Sequence, residues 1–259
     1  MTGAMHHFLL AFIAALRRSV PALPLMSMLL IIPIGLIGLN SAIGDPIIVD
    51  GYNLGASFNL PAFVLSFQFF NMAIVMSYLY EDFRSDRRWR LRATPHSLMS
   101  FVIPTFMAGW FISILFGLVT TIVAAIAFNA YLGNLLVFAS VFLLISLMAT
   151  LVGMLLFLLV KKFSAANTAV YIISFGLMIL SGYMIPLGNS TLAEFLQTSG
   201  TPLALGTRAI GYSGKFNDFD PAIFAGSGMD QALINIAILA AITAVLALAA
   251  FVIAKRKGV

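Results

Sequence analysis

The residues most able to do chemistry lie together in one short segment, residues 81–92, which reads EDFRSDRRWRLR. This segment holds five of the fourteen basic residues of the chain and three of its nine acidic residues. The stretches on either side, about 60–80 and 101–128, contain no charged residue. Interleaved arginines, carboxylates and a tryptophan are typical of a docking surface, because mixed charge gives specificity and Trp and Arg are frequent interface anchors.

Two other interpretations of residues 81–92 are open. Arginines next to an apolar run hold a loop on the cytoplasmic side, although one or two are enough for that. Basic residues near a bilayer also bind anionic lipid, with about 1 kcal/mol each. The acidic residues oppose lipid binding, and on a helix Trp89 points away from the face shared by Phe83 and Leu91. We therefore favour docking to a cytoplasmic partner.

The chain contains no recognisable catalytic constellation. It lacks a Walker-type phosphate loop, an HExxH helix and a nucleophile elbow, and it has no cysteine. Its three histidines, His6, His7 and His96, lie at or beyond the borders of apolar runs, where interfacial polar residues are expected. We predict no catalytic residue, no metal site and no cofactor in this chain.

The composition indicates a polytopic membrane protein, because 61% of the residues are hydrophobic and only 9% are charged, against about 25% charged in soluble domains. A helix needs about 20 apolar residues to cross a bilayer. An amphipathic stretch at 5–18 predicts a helix in the membrane interface, with a disordered leader as the alternative. The predicted fold is all-α, with one transmembrane domain over 1–259. Six spans are predicted, at about 20–40, 59–80, 101–128, 134–160, 164–187 and 230–254.

The positions of Lys and Arg predict the orientation. With the N-terminus in the cytoplasm, twelve of the fourteen basic residues fall inside, and only Arg208 and Lys215 fall outside. Basic loops favour the cytoplasmic side, so both termini are predicted to be cytoplasmic. Residues 188–229 then form the longest outer segment. Its apolar first half is broken by glycines and Pro202, so it could dip into the membrane only when packed against protein.

The predicted spans carry no Asp, Glu, Lys, Arg or His away from their ends. This argues against a carrier coupled to protons or ions, since such coupling uses ionisable groups within the membrane. Gln68 and Asn71 share one face of the second span beside Phe67 and Phe70, and Asn167 lies on the fifth. Interhelical hydrogen bonding and the lining of a pathway are both open for them. The sixth span carries a stripe of small residues suited to helix packing: Ala237, Ala240, Ala241, Ala244, Ala247 and Ala254.

Three motifs together resemble type-2 permeases of ATP-binding-cassette (ABC) exporters. The second span ends in the acidic Glu81, and the polar stretch after it closes as Arg-Leu-Arg-Ala-Thr-Pro at 90–95. The fifth span ends as Leu-Ser-Gly-Tyr-Met-Ile-Pro at 180–186, similar to the Leu-Ser-Gly-x-x-x-Pro pattern of that family. Thr201-Pro202-Leu203 resembles the Asn-Pro-Leu site of the family, with Thr in place of Asn. The arginine-dense stretch 85–89 departs from the small residues usual there.

The resemblance implies two permease halves, identical or homologous, that form a pathway above two cytoplasmic ABC ATPase subunits. Those subunits would bind ATP and Mg²⁺, so this chain would be one part of an ATP-hydrolysing translocase in a prokaryotic plasma membrane. The implied cargo is an apolar or amphipathic compound, such as a drug, antibiotic, peptide or lipid, which leaves the cell. The partners would include membrane lipid but no nucleic acid. An ion- or proton-coupled carrier and a non-transporting scaffold or sensor are the alternatives.

The resemblance also implies three groups of site residues. The ATPase-coupling group, within 81–96, consists of Glu81, Asp82, Arg84, Asp86, Arg87, Arg88, Trp89, Arg90 and Arg92. The translocation path would be lined by Phe67, Gln68, Asn71, Asn167, Tyr171 and Phe175. An extracellular gate would be formed by Gly182, Pro186 and Pro202.

Overall fold

A computed structural model describes residues 2–19, 28–42, 47–84, 99–182, 187–188, 190–214 and 228–257. In these ranges the fold is all-α apart from a short antiparallel pair, β1 (Ile48–Val49) and β2 (Tyr52–Asn53). The helices are α1 (Thr2–Ser19), α2 (Met28–Ala42), α3 (Leu54–Phe70), α4 (Met72–Arg84), α5 (Met99–Phe128), α6 (Leu135–Leu159), α7 (Phe163–Leu180), α8 (Thr191–Phe195), a π-helical turn (Leu196–Gly200), α9 (Pro202–Ser213) and α10 (Met229–Arg256).

Five helices of the described ranges are long and apolar enough to cross a membrane. They are α3 and α4 taken as one helix, α5, α6, α7 and α10, which correspond to the second to sixth predicted spans. The protein is therefore a membrane protein with several transmembrane helices. The first predicted span, 20–40, overlaps α2, but part of it lies outside the described residues, so a sixth span stays a prediction.

The continuous helix formed by α3 and α4 is the centre of the bundle. Of its most apolar 18-residue window, 89% is buried inside the protein, against 67% for α6, 33% for α5, 22% for α7 and 17% for α10. Helices α5, α6 and α7 contact both α3 and α4, while α2 and α9 contact α3. The outer helices are left with broad apolar faces exposed, as expected of helices that border lipid.

Glycines allow the neighbouring helices to approach this centre closely. A Cβ atom on Gly153 of α6 would lie 2.6 Å from the backbone oxygen of Met72, and one on Gly109 of α5 would clash with Cγ2 of Val75. Small residues at helix contacts are the usual means of close packing in membranes, where van der Waals contact drives helix association. The absence of a side chain at these two glycines therefore allows α5 and α6 to lie directly against α4.

Helix α1 packs along α5 and confirms that 5–18 is helical. The ring centroids of Phe12 and Phe111 are 6.2 Å apart, and Leu16 packs beside Ile74, Tyr78 and Ile112. The location of α1 in the membrane interface stays a prediction.

Helix α9 inserts between the longer helices. Its residues Leu203, Ala204, Ala209 and Ile210 have no exposed surface, and a Cβ on Gly206 would contact Val141 of α6 and Leu65 of α3. With twelve residues it spans only about 18 Å. The first half of the predicted outer segment therefore contains a short helix packed against protein, which is the condition under which it can enter the membrane.

The ends of the helices form two sets. Thr105 of α5 donates a hydrogen bond of 3.2 Å to Asp82 of α4, and Lys257 after α10 donates to the carbonyl of Leu158 in α6. Because Arg84 of α4 also donates to α6, these four termini lie together. We call this set the basic end; its described charged residues are Glu81, Asp82, Arg84, Lys161, Lys162, Lys255, Arg256 and Lys257. At the opposite end the backbone of Asn53 donates to that of Asn129, 3.0 Å away.

Candidate functional site

Arg84, in the last turn of α4, binds the C-terminus of α6. Its Nη2 donates a hydrogen bond of 2.6 Å to the carbonyl oxygen of Phe157, and its Nη1 donates to that of Val160. The last carbonyls of a helix have no partner within the helix and carry partial negative charge, so a guanidinium is well suited to them. The Arg84 side chain thus connects two helices that are distant in sequence.

Aromatic rings hold this guanidinium in place. Its central carbon lies 4.7 Å from the ring centroid of Tyr80 and 5.0 Å from that of Phe157. Cations are attracted to the faces of aromatic rings at such distances. The Tyr80 hydroxyl also donates a 2.5 Å hydrogen bond to the carbonyl of Val160. Lys257 of the segment after α10 binds Leu158, so side chains from two elements cap α6.

The other described members of the predicted coupling group flank Arg84. Asp82 is buried and accepts the hydrogen bond from Thr105, which fixes α4 to the start of α5. Glu81 is exposed. A cleft of about 480 Å³ opens here, lined by Ser77, Tyr80, Glu81, Arg84, Lys161 and Phe163. The remaining members, Asp86, Arg87, Arg88, Trp89, Arg90 and Arg92, lie outside the described residues.

Gln68, of the predicted path, lies in an interhelical hydrogen-bond network. Ser113 of α5 donates a 2.8 Å hydrogen bond to Oε1 of Gln68, and Ser146 of α6 donates a 3.4 Å bond to Ser113. Gln68 is 1% exposed and both serines are fully buried. These hydrogen bonds therefore connect Gln68 of α3 with α5 and, through Ser113, with α6.

Asn71 lies at the junction of α3 and α4 and is 3% exposed. Its backbone N–H donates to the carbonyls of Phe67 and Gln68, at 3.3 and 3.2 Å, so the helix tightens locally at this residue. The carbonyl of Asn71 in turn accepts from the N–H of Ile74 at 3.0 Å. The most buried helix of the protein thus changes its hydrogen-bonding pattern near its middle.

The aromatic members of the predicted path form a separate group between α3 and α7. The ring of Phe70 lies 5.1 Å from that of Phe67, 4.9 Å from that of Phe175 and 6.4 Å from that of Tyr171. Phe175 and Tyr171 are 45% and 47% exposed. Asn167, one turn earlier on α7, is half-buried. The six predicted residues thus divide into an enclosed polar pair, three aromatic residues grouped around Phe70, and the half-buried Asn167. Their role as a path stays a prediction.

Two of the three predicted gate residues lie in the described part of the chain. Gly182 follows α7 with φ +79°, a conformation that favours glycine, and a Cβ there would lie 2.8 Å from Cγ of Gln197. Gln197 belongs to the π-helical turn, a rare element that is frequent at functional sites. Pro202 is the first residue of α9. Pro186 lies outside the described residues. The structure therefore brings the end of α7 against the turn that precedes α9.

Sequence reasoning missed the binding of α6 by Arg84 and Lys257. The acceptors are backbone carbonyls, which every residue carries, so residue type gives no signal for them. Arg84 was predicted as part of the coupling group and Lys257 only as a marker of orientation, and neither prediction included a contact with α6.

No known protein family matches this chain, and no curated protein has significant similarity to it.

Proposed function

We propose that this chain is the permease subunit of a type-2 ABC exporter, with six transmembrane helices after an interfacial helix. ATP hydrolysis on a separate subunit would drive an apolar or amphipathic compound out of the cell. The motifs at 81–95, 180–186 and 201–203 support this assignment, as does the membrane-spanning all-α fold. The chain supplies no catalytic constellation of its own, which agrees with an energy source on a partner.

One observation carries the proposal: the segment expected to dock to the ATPase begins at the end of the central helix. Residues 81–84 are the last turn of α4, and Arg84 binds the C-terminal carbonyls of α6. A force on residues 85–96 would therefore act on the most buried helix and on α6 together. Such a connection is what coupling of ATP hydrolysis to the transmembrane helices requires.

The basic end is the side on which the ATPase would bind. Six of its described charged residues are basic and two are acidic, whereas Asp50, Glu194 and Asp230 lie on segments at or beyond the opposite end. An excess of Lys and Arg favours the cytoplasm, where ATP is available. The gate residues Gly182 and Pro202 would then face outward, and Tyr171 and Phe175 would offer an apolar path beside α3.

The experiment that tests the proposal is co-purification of the chain from its native host. The expected result is an associated subunit with a phosphate-binding loop, whose ATP hydrolysis is stimulated by a transported compound. A triple charge reversal, Arg87→Glu with Arg88→Glu and Arg90→Glu, should abolish this association and transport. The matched control reverses three exposed basic residues of the same end, Lys162, Lys255 and Arg256, and should retain the ATPase.

Other results would contradict the proposal in distinguishable ways. Transport by the purified chain alone in response to an ion gradient would indicate a secondary carrier. An associated ATPase that no compound stimulates would favour a scaffold or sensor. Unchanged association and transport in the Arg87, Arg88 and Arg90 variant would refute the docking role of the segment.

A further inference from the structure

The side chain of Asn71 places a polar oxygen inside the protein at the junction of α3 and α4. Asn71 is 3% exposed, and its Oδ1 accepts no hydrogen bond from any residue that the structure describes. A buried carbonyl oxygen that has lost its hydration is unfavourable unless another donor replaces the water. The position of Asn71 at an irregular turn makes this oxygen a candidate ligand-binding group.

A small cavity lies beside the Asn71 residue. Its volume is about 10 Å³, which is close to what one water molecule requires. The cavity is lined by Val64, Phe67, Gln68, Asn71, Phe116, Gly117 and Thr120. Three of these residues carry polar side chains, and a buried water needs two to four polar partners.

The hydrogen-bonding groups around the cavity match a water molecule. Because Oε1 of Gln68 accepts from Ser113, its Nε2 is the end that can donate elsewhere, and it lies against Gly117, in the space that a Cβ there would need. Thr120 donates its hydroxyl proton to the carbonyl of Phe116 at 2.9 Å, which leaves its oxygen able to accept. The lining residues thus carry an N–H donor on Gln68, a hydroxyl oxygen on Thr120 that can accept, and on Asn71 both an acceptor oxygen and an N–H₂ group. A cation without its hydration shell would be repelled by the N–H group of Gln68.

We propose that this cavity binds one water molecule, which accepts from Gln68 and donates to Asn71 and Thr120. The water links the junction of α3 and α4 to α5 and extends the network of Ser146, Ser113 and Gln68. The irregular turn in the central helix is then stabilised by an exchangeable ligand, because no described side chain of α5 bonds Oδ1 of Asn71 directly.

The test compares two adjacent threonines of α5 in the full chain. Thr120 and Thr121 are 3% and 4% exposed, and each donates to the carbonyl four residues earlier, but only Thr120 lines the cavity. Thr120→Val should lower the midpoint of thermal unfolding in detergent more than Thr121→Val does. The difference between the two shifts should be about 2–4 °C. Equal shifts for the two variants would overturn the proposal.

The variant Asn71→Leu provides a second, independent test. If a water satisfies Oδ1, the substitution expels it and lowers the unfolding midpoint, and combining it with Thr120→Val adds little because both changes remove the same water. A higher midpoint in Asn71→Leu, or fully additive shifts, would mean that the cavity is dry. Should that variant fail to fold, a density map of the native protein that resolves other buried waters decides: a peak within hydrogen-bonding distance of Oδ1 supports the proposal, and its absence overturns it.

Discussion

Arg84 donates a hydrogen bond of 2.6 Å to the carbonyl of Phe157, which lies 73 residues further along the chain. The bond joins the last turn of α4 to the last turn of α6. A guanidinium forms such contacts with its planar fork of donors, and here Nη1 and Nη2 reach different carbonyls of one helix terminus. The central helix and α6 are therefore joined at the basic end by Arg84, together with Tyr80, whose hydroxyl donates to the carbonyl of Val160.

Replacement of this side chain should loosen the basic end. We expect Arg84→Gln to lower the free energy of unfolding by about 1–2 kcal/mol, because the charged donors to the α6 terminus are lost. Arg84→Lys should recover only part of this loss, since an ammonium lacks the fork. Thermal unfolding of the purified protein in detergent measures the effect. Arg256→Gln, at an exposed position of the same end, is the control, and an equal loss there would contradict the role of Arg84.

Gly153 should not tolerate a side chain. We expect Gly153→Ala to destabilise the protein by about 1–3 kcal/mol, because the added Cβ would meet the rigid backbone oxygen of Met72. Gly176 of α7 provides the comparison, because a Cβ added there would have no neighbouring atom within 4 Å. Gly176→Ala should be neutral or slightly stabilising, since alanine favours helix by up to about 1 kcal/mol. Thermal stability of the two variants in the same detergent checks the difference, and equal effects would be inconsistent with close packing at Gly153.

Gly182 and Gly188 allow backbone strain to be separated from packing. Both have φ +79°, so alanine at either position carries a similar conformational cost, but only a Cβ on Gly182 would strike Gln197. We expect Gly182→Ala to be the more destabilising, by about 1 kcal/mol or more. Thermal unfolding gives the stability difference, and transport assays would report whether this contact matters for a gate. Indistinguishable unfolding of the two variants would show that the contact with Gln197 contributes nothing.

The orientation can be tested directly because the chain has no cysteine. Single cysteines at Lys162, at the basic end, and Thr191, beyond the other end of α7, are both at exposed positions. A membrane-impermeant maleimide added to intact cells should label Thr191→Cys and leave Lys162→Cys unlabelled until the cells are opened. The reverse pattern would place the basic end outside and remove the basis for an ATPase there.

The class of protein followed from the sequence because transfer of about 20 apolar residues into a bilayer depends on their composition and length alone. The limits of α5, α6 and α10 fall close to the predicted spans for this reason, whereas α7 ends at Leu180 and not at the predicted residue 187. The mixed-charge segment was likewise visible as the start of a loop, and the first residues of it, Glu81 to Arg84, do end the central helix.

The sequence was a weaker guide to which residues pack against neighbouring helices. The alanine stripe of the sixth span was expected to pack against helices. In α10 its member Ala254 is buried, but Ala237, Ala240 and Ala244 are exposed. The helix instead packs inward through Leu239, Thr243 and residues near its ends. Small residues permit close contact on any face where they occur, and the neighbouring helices decide which face is used.

The sequence by itself determined that this protein has membrane-spanning helices and that its basic residues collect at their ends. Only the tertiary structure decided which helix is central. The window in α10 has a mean hydropathy of 2.9 and is 17% buried, whereas that of the α3 and α4 helix has 1.6 and is 89% buried. Lipid is as apolar as a protein interior, so hydrophobicity does not separate buried helices from outer ones in a bilayer. The α3 and α4 helix is central because of the glycine contacts and the hydrogen bonds of Gln68 and Arg84, which join residues far apart in sequence.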